Sequence, residues 1–268
     1  MRSVSELLRA VKDGKLDLKK AEQILKLDAI EMIGDVARVD YNRYMRRGVP
    51  EIIYGESKTT KQLVQILGKL IPKWEKNPTF LPIILSKLNV EKAQAIILAL
   101  KRRKTLVVRY FDTACLMTIT FKKDAKSRTG IERVALLAAG TSDMQALNEA
   151  EIILNIFGCR TIRYNDVGVA GLHRLIRPLK EIVTFEPDAI IVAAGMEGAL
   201  PSVIAGLSSV PVIGLPTSVG YGYGGDGEAA LMSMLQACSL GICVVNIDAG
   251  VAAGVIAWLI ARRRAKSF

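Results

Sequence analysis

The second half of the chain alternates apolar runs with amphipathic stretches in a regular order. The apolar runs lie near 133–139, 160–165, 188–194, 211–215 and 241–247. Most are apolar nearly throughout, as strands are in a parallel sheet that helices cover on both faces. Helical periodicity follows each run, near 143–157, 172–185, 200–208, 227–238 and 250–263. This order predicts an α/β fold with a doubly wound, flavodoxin-like three-layer domain at the C-terminal end.

The first half has a different rhythm. Short amphipathic helices are predicted over 4–11 and 18–27, followed by a polar, arginine-rich segment. A smaller α/β unit comes next: its predicted strands cover 51–54, 80–85 and 105–121 (the last a long strand or a hairpin), and its predicted helices run from about 58 to 70 and from 90 to 103. The polar, aperiodic segment 122–130 indicates a boundary. We therefore expect an N-terminal domain over 1–128 and a catalytic domain over 129–268.

Ligands of a doubly wound sheet bind beyond the carboxyl ends of its strands, so five loops hold the candidate site residues. The first loop runs from Ala138 through Gly140, Thr141 and Ser142 to Asp143. It offers backbone N–H groups, two hydroxyls and a carboxylate at a helix start, which suits an anion such as phosphate. The alternative is that Ser142 or Asp143 is a plain helix cap.

The second and third loops carry the candidates for acid–base chemistry. Asp166 lies in the second loop, which also brings the single histidine, His173, beside Arg174. A purely structural histidine is the alternative. The third loop contains Gly195, Met196 and Glu197, the sole charge in a long apolar stretch. If buried, this carboxylate needs a partner or a raised pKa, and we favour a general base over a structural glutamate.

The fourth loop, 216–227, is rich in glycine and contains Ser218, Tyr221 and Tyr223. Its N–H groups suit an anion and its rings can stack on a planar base, whereas a flexible loop with no role is the alternative. The fifth loop is 246–250. Just before its strand, Cys238 is predicted to end a helix, either as a packing residue or as a thiol that a nearby positive charge activates.

Arginines in the first half form a second candidate cluster. Asp40 and Arg43 are three residues apart and Arg43 and Arg47 are four apart, so on a helix they would share a face. Such a face is either a salt-bridged surface or a cluster that meets a phosphate or carboxylate. Lys58 lies at a predicted helix start, where an anion can also bind.

Composition narrows the class of protein. Residues 1–128 hold 27 Lys and Arg against 14 Asp and Glu, whereas the remainder holds 10 against 12. The basic charges are dispersed with few aromatics between them, which favours a solvated surface with a small anion site over nucleic-acid binding. Four cysteines without paired spacing and one histidine argue against a zinc site. With no secretory pattern and no spanning segment, we expect a cytoplasmic protein with reduced thiols.

These loops resemble the aminoimidazole ribonucleotide carboxylase family. The matching residues are Gly140 to Asp143, His173-Arg174, Ala194-Gly195 with Leu200-Pro201, and Val212 to Pro216. A closer resemblance, over nearly the whole chain, is to the LarB family of nickel-pincer cofactor biosynthesis proteins. Its motifs match 138–144, 166–174, 194–202, 216–222, 245–248 and, upstream, Arg38 to Asp40, Arg43, Arg47-Gly48, Pro50-Glu51 and Lys58-Thr59. The match departs at Gln145 and after Asp248, and it is weak around 72–128.

The resemblance implies an enzyme that carboxylates the pyridinium ring of nicotinic acid adenine dinucleotide and cleaves its phosphoanhydride. It implies Cys238 as nucleophile and Glu197 as acid/base. The implied substrate-binding residues are Gly140, Thr141, Ser142, Asp143, Asp166, His173, Arg174, Gly195, Met196, Ser218, Tyr221, Asp40, Arg43, Arg47 and Lys58. Carbon dioxide or bicarbonate is the implied co-substrate, no cofactor is tightly bound, and assistance by Mg²⁺ stays open.

The implied partners are the dinucleotide substrate and further copies of the chain, an octamer by resemblance, with no nucleic acid and no membrane. Preference for the acid or the amide dinucleotide stays open. Two alternatives remain at this point. One is a purine-pathway aminoimidazole ribonucleotide carboxylase or mutase, which would be indifferent to Cys238. The other is a nucleotide sensor that binds a dinucleotide through the basic first half without consuming it.

Overall fold

The computed structural model describes residues 4–25, 30–33, 37–40, 43–76, 81–122 and 130–264. The chain divides into two compact units, residues 1–126 and 127–268. Among the described helices, none is both long enough and apolar enough to cross a bilayer.

The first unit combines small helices with a mixed sheet. Its helices are α1 (Val4–Lys12), α2 (Leu18–Leu25), α3 (Arg43–Arg47), α4 (Thr60–Lys76) and α5 (Val90–Leu100). Its strands are β1 (Ile30–Ile33), β2 (Ala37–Asp40), β3 (Ile52–Tyr54), β4 (Ile83–Ser86), β5 (Leu106–Phe111) and β6 (Leu116–Phe121). Strands β1 and β2 form a hairpin, and the main sheet has the order β3-β4-β6-β5 with only β3 and β4 parallel. The core of this unit lies between the sheet and α4 and α5.

Two predictions for the first unit can be compared with this arrangement. The stretch 105–121 is a hairpin, one of the two alternatives, with a 3₁₀ turn at Asp112–Ala114. The expectation that Asp40 and Arg43 share a helical face is wrong. Asp40 ends β2, where it pairs with Ile30, whereas Arg43 begins α3. Asp40 is not helical because the hairpin's hydrogen bonds use the backbone groups that a helix would need.

The second unit is the doubly wound domain that the hydrophobic pattern predicts. Its strands are β7 (Arg133–Ala138), β8 (Arg160–Tyr164), β9 (Ala189–Ala194), β10 (Val212–Pro216) and β11 (Ile242–Val244). Its helices are α6 (Met144–Phe157), α7 (Ile176–Phe185), α8 (Leu200–Leu207), α9 (Glu228–Leu235) and α10 (Gly250–Arg264). The sheet order is β11-β10-β9-β7-β8 and every pairing is parallel. The predicted fold class is confirmed.

Helices cover both faces of this sheet. Helices α6 and α10 pack together on one face, and α7, α8 and α9 cover the other. The α6–α10 contact is close because α10 has glycine where it meets α6: a Cβ on Gly254 would lie 2.8 Å from the Ala150 carbonyl oxygen. One turn further along α10, Trp258 stacks on Phe157 with ring centroids 4.1 Å apart.

The strand order places a crevice between β7 and β9. The chain leaves β7 toward β8 on one side and reaches β9 on the other side, so the loops that follow β7 and β9 diverge at this switch point. Both loops lie at the carboxyl edge of the sheet. The crevice therefore brings together the first and third of the loops selected from the sequence.

Candidate active site

The first loop is tied to the rest of the edge by the carboxylate of Asp143. This side chain is only 4% exposed; its Oδ2 accepts the Gly140 N–H at 2.8 Å and its Oδ1 accepts the Thr217 hydroxyl at 2.5 Å. The Gly195 N–H bonds to it as well. Burial raises the pKa of Asp143, and these three hydrogen bonds oppose the rise. One carboxylate thus joins the first, third and fourth loops.

The remaining groups of the first loop are open to a ligand. Thr141 and Ser142 are exposed in a 3₁₀ turn directly before α6. Asp143 makes no side-chain hydrogen bond to the first turn of α6, but by accepting the Gly140 N–H it caps the 3₁₀ turn that leads into the helix, so the capping alternative holds for that turn. The start of α6 keeps its N–H groups and positive dipole end beside two hydroxyls, an arrangement that can bind an anion.

The third loop is held against the fourth. The Met196 N–H donates to the Val219 carbonyl at 2.8 Å, and a Cβ on Gly195 would lie 2.2 Å from the same oxygen. Met196 has a φ of 50°, a left-handed conformation that costs a residue with a Cβ about 1–2 kcal/mol. Glu197 follows and is exposed, so the condition of burial that we set for it is not met within a single chain.

In the second loop, Asp166 and Arg174 form an ion pair with Nη1 and Oδ2 2.6 Å apart. A Cβ on Gly171 would lie 2.7 Å from the Arg174 Nε, so glycine lets the guanidinium fold back over the loop. His173 is exposed in the same 3₁₀ segment, Val169–Leu175. His173 is therefore a surface side chain at the carboxyl edge and not a packed core histidine.

The fourth and fifth loops are joined by a second carboxylate. The Ser218 N–H donates to Oδ1 of Asp248 at 3.0 Å, and the Asp248 N–H donates to the Pro216 carbonyl at 2.9 Å. Tyr221 is 80% exposed and Tyr223 is fully exposed, so both rings are available to a planar ligand.

Cys238 does not end a helix, contrary to the expectation from the sequence. Helix α9 ends at Leu235, and Cys238 is exposed in the connection from α9 to β11. The Ser239 hydroxyl anchors this connection by donating to the Ser202 carbonyl at 2.8 Å. The connection enters the sheet at Gly241, whose carbonyl accepts the Val212 N–H at the start of β10. Cys238 thus lies on the connection that leads into the amino edge of the sheet, whereas Glu197 follows the carboxyl end of β9.

The candidates of the first unit lie around β2, α3 and the start of α4. Asp40 is half-buried and lines a cavity of about 60 Å³ together with Tyr44 and Glu51. Arg43 pairs with Glu51 at 3.0 Å, and Arg47 is exposed. The ammonium group of Lys58 donates to the Tyr54 carbonyl at 3.0 Å.

Sequence reasoning missed two residues that shape this edge, Thr217 and Asp248. Thr217 is 1% exposed and lies 74 positions from the carboxylate that it bonds. Both residues stood inside the selected loops, directly after β10 and β11, but no local pattern distinguishes them from their neighbours. In the described part of the chain, no group of three or more His, Cys, Asp or Glu side chains is arranged to hold a metal ion.

Comparison with known proteins assigns this architecture to a class. The profile of the AIR carboxylase family matches residues 133–267, which span the parallel sheet and its helices. A second profile, that of the LarB/PurE-like N-terminal domain, matches residues 30–122. The chain therefore belongs to the AIR carboxylase family, in the LarB-type form that carries this N-terminal domain. The two matches give it the carboxylase-type function of an enzyme.

Two proteins of Methanocaldococcus jannaschii are similar to this chain. One, described as uncharacterized protein MJ0165, is 40% identical over 261 residues, which cover 97% of this chain and 98% of that protein. The other, an N5-carboxyaminoimidazole ribonucleotide mutase, is 32% identical over 126 residues, which cover 46% of this chain and 75% of the mutase. The similarity to the first relative thus extends over both units of this chain.

Proposed function

We propose that the chain carboxylates the pyridinium ring of nicotinic acid adenine dinucleotide and cleaves its phosphoanhydride with water. The products are pyridinium-3,5-biscarboxylic acid mononucleotide and AMP. The observation that carries this proposal is an exposed thiol, Cys238, in a carboxylase-type chain that also has an exposed carboxylate, Glu197. A thiol is the group that this substrate requires and that an aminoimidazole does not.

The chemistry explains the thiol. A pyridinium ring is electron-poor and does not attack carbon dioxide. When the Cys238 thiolate adds to a ring carbon, the ring becomes a neutral, enamine-like dihydropyridine, whose neighbouring carbon attacks carbon dioxide to form the new C–C bond. Glu197 then removes the proton from the carboxylated carbon, and the electron pair of that C–H bond restores the aromatic ring as the thiolate leaves.

The remaining candidates bind the substrate in this proposal. Gly140, Thr141 and Ser142 hold the ribose-phosphate side at the start of α6, and Tyr221 stacks on a planar ring. The other predicted ligands keep the roles that the family resemblance implies: Asp166, His173, Arg174, Ser218, Asp40, Arg43, Arg47 and Lys58. Mg²⁺ carried by the phosphates would assist cleavage by neutralising charge on the leaving group.

The proposal also includes a second copy of the chain. The chain from Gly241 to Val245, which includes strand β11, spans about 13 Å at 3.3 Å per residue. This is the distance along the strand from the end of the connection that carries Cys238 to the carboxyl edge of the sheet. We infer that Cys238 of one chain acts with Glu197 of another, in a homo-oligomer that the family resemblance gives as an octamer.

The test of the proposed reaction incubates the protein with the dinucleotide and ¹³C-bicarbonate. We expect AMP and a mononucleotide with one labelled carboxylate by mass spectrometry. Cys238→Ser should lower kcat about a thousandfold or more while dinucleotide binding persists, whereas the control Cys243→Ser, an exposed thiol on β11, should stay near wild type. Folded wild-type protein that forms neither product would refute the proposal.

A second candidate function is favoured by the similarity to the N5-carboxyaminoimidazole ribonucleotide mutase. Its substrate is already an enamine-type nucleophile and needs no thiol. It predicts turnover of aminoimidazole ribonucleotides at a rate that Cys238→Ser leaves unchanged. The same pair of variants therefore separates the two candidates.

A further inference from the structure

The backbone of the third loop is constrained at the two residues that lead to Glu197. Gly195 and Met196 connect β9 to Glu197, and the backbone conformation of each depends on contacts with other loops. A Cβ on Gly195 would lie 2.7 Å from the Thr217 hydroxyl oxygen, and Met196 has a left-handed backbone. Such a conformation persists only where surrounding contacts impose it.

The contacts that impose it come from the first and fourth loops. Asp143 is bonded by the Gly195 N–H and by the Thr217 hydroxyl, and the Met196 N–H is held by the Val219 carbonyl two residues beyond Thr217. Thr217 and Asp143 are 1% and 4% exposed, so a ligand at the edge does not replace their mutual hydrogen bond. The Thr217–Asp143 pair therefore connects the backbone of the third loop to two neighbouring strands.

We propose that Thr217 and Asp143 form a positioning pair that fixes the backbone of Gly195 and Met196 and thereby orients the Glu197 carboxylate, while neither member touches the reacting atoms. This inference rests on the proposed function for the role of Glu197. Asp143 thus serves the reaction from inside the protein, not as a direct substrate ligand as expected from the resemblance.

The charges around the pair define its pH dependence. Asp143 is the titrating member, and among the described residues the charge that acts on it is that of Asp248, which also holds the adjoining Ser218 N–H. The Thr217 hydroxyl donates to the ionised carboxylate, so its removal favours protonation of Asp143. A protonated Asp143 presents an O–H where Gly140 and Gly195 offer N–H donors, so the hydrogen bonds that hold the third loop are lost. In a variant without the Thr217 hydroxyl, this loss occurs at higher pH than in the wild type.

The test compares Thr217→Val, which removes the hydroxyl at constant shape, with Thr217→Ser, which keeps it. The control is Thr184→Val on α7, whose hydroxyl bonds the Lys180 carbonyl on an exposed helix surface. We expect Thr217→Val to lower kcat about 10- to 100-fold, with KM changed less than about threefold. Thr217→Ser should retain most of the wild-type kcat, the acidic limb of the kcat profile of Thr217→Val should move to higher pH, and Thr184→Val should match wild type.

A second measurement needs no turnover. Hydrogen–deuterium exchange of the substrate-free protein should be faster at residues 195–198 in Thr217→Val than in wild type and unchanged in Thr217→Ser. If wild type does not carboxylate the dinucleotide, the proposed function fails while exchange still tests the pair. Equal exchange in all variants, or equal kcat losses in the valine and serine variants, would overturn the inference. If Thr217→Val does not fold, Asp143→Asn should show the same loss of kcat and the same faster exchange at residues 195–198, without the shift of the acidic limb, because asparagine does not titrate.

Discussion

The thiols of the second unit differ in reactivity because their surroundings differ. Cys159 is 7% exposed, and burial raises its pKa to about 12. Desolvation also raises the pKa of Cys243 on β11. Cys238 is exposed in a connection. Because the thiolate is the reactive form, Cys159 is an inert packing residue, whereas Cys238 is accessible to reagents.

We therefore predict the order of alkylation in the native protein. Iodoacetamide at about pH 8 should label Cys238 before Cys243, and Cys159 only after denaturation, as followed by peptide mass spectrometry. Bound dinucleotide should slow labelling of Cys238. Native Cys159 that reacts as fast as Cys238 would contradict the assignment of Cys159 to the core.

A second prediction concerns Asp143 and the stability of the fold. Burial raises its pKa above the ordinary 3.8, so the folded state binds this proton more tightly than the unfolded state. The resulting contribution to stability is present below about pH 4 and is lost as the pH rises through the raised pKa. In urea unfolding, the free energy of unfolding of Asp143→Asn relative to that of wild type should increase as the pH rises from about 4 through the raised pKa of Asp143. Parallel pH profiles would contradict it.

Single residues show what the sequence could and could not reveal. Asp143 was selected because it lies in a small-residue turn before a helix, but its partner Thr217 is 74 positions away. Local sequence reports where a side chain lies along an element, and only the folded sheet decides which loops meet. The exposure of Glu197 is likewise set by the fold of the chain and could not be read from its apolar neighbours in the sequence.

Among the elements, the α6–α10 pair depends on the absence of side chains. A Cβ on Gly254 would lie 2.8 Å from the Ala150 carbonyl oxygen and 3.0 Å from the Ile153 Cβ. Neither neighbour is the flexible end of a side chain, so an added methyl group must move one helix away from the other.

We predict that Gly254→Ala lowers the free energy of unfolding by about 1–3 kcal/mol, measured by urea denaturation. The control is Gly206→Ala on α8, where the new Cβ meets only the Ser239 hydroxyl at 3.8 Å. This variant should be more stable by about 0.5–1 kcal/mol, because alanine is the better helix former. A destabilisation of equal size in both variants would show that the close helix contact is not its cause.

At the scale of elements, apolar runs were the reliable signal. Strands buried on both faces, such as β9, are apolar at every position, and the predicted order of strands and helices is confirmed. The sequence does not predict the hairpin of β1 and β2, because its short strands lie in a segment whose arginine content indicates a polar surface. Strand β11 is shorter than predicted, since pairing with β10 covers only three positions.

At the scale of the whole molecule, the proposed sharing of Cys238 and Glu197 between chains predicts complementation. Glu197→Gln and Cys238→Ser should each be inactive alone. Mixed in equal amounts and allowed to exchange subunits, they should recover about a quarter of wild-type activity, because a site needs an intact group from each of two chains. Native mass spectrometry, with one of the two variants isotopically labelled, should confirm the mixed oligomers. No recovery despite mixing would place both groups in one chain.

The two edges of the parallel sheet bear on how chains can associate. Strand β11 at one edge has three residues, and β8 at the other carries Arg160 and Arg163, the latter paired with Glu151. Short or charged edge strands are poor templates for an additional strand. Growth of the sheet from one molecule into the next is therefore disfavoured at both ends, so a contact between chains is expected on the helices and loops and not along a strand.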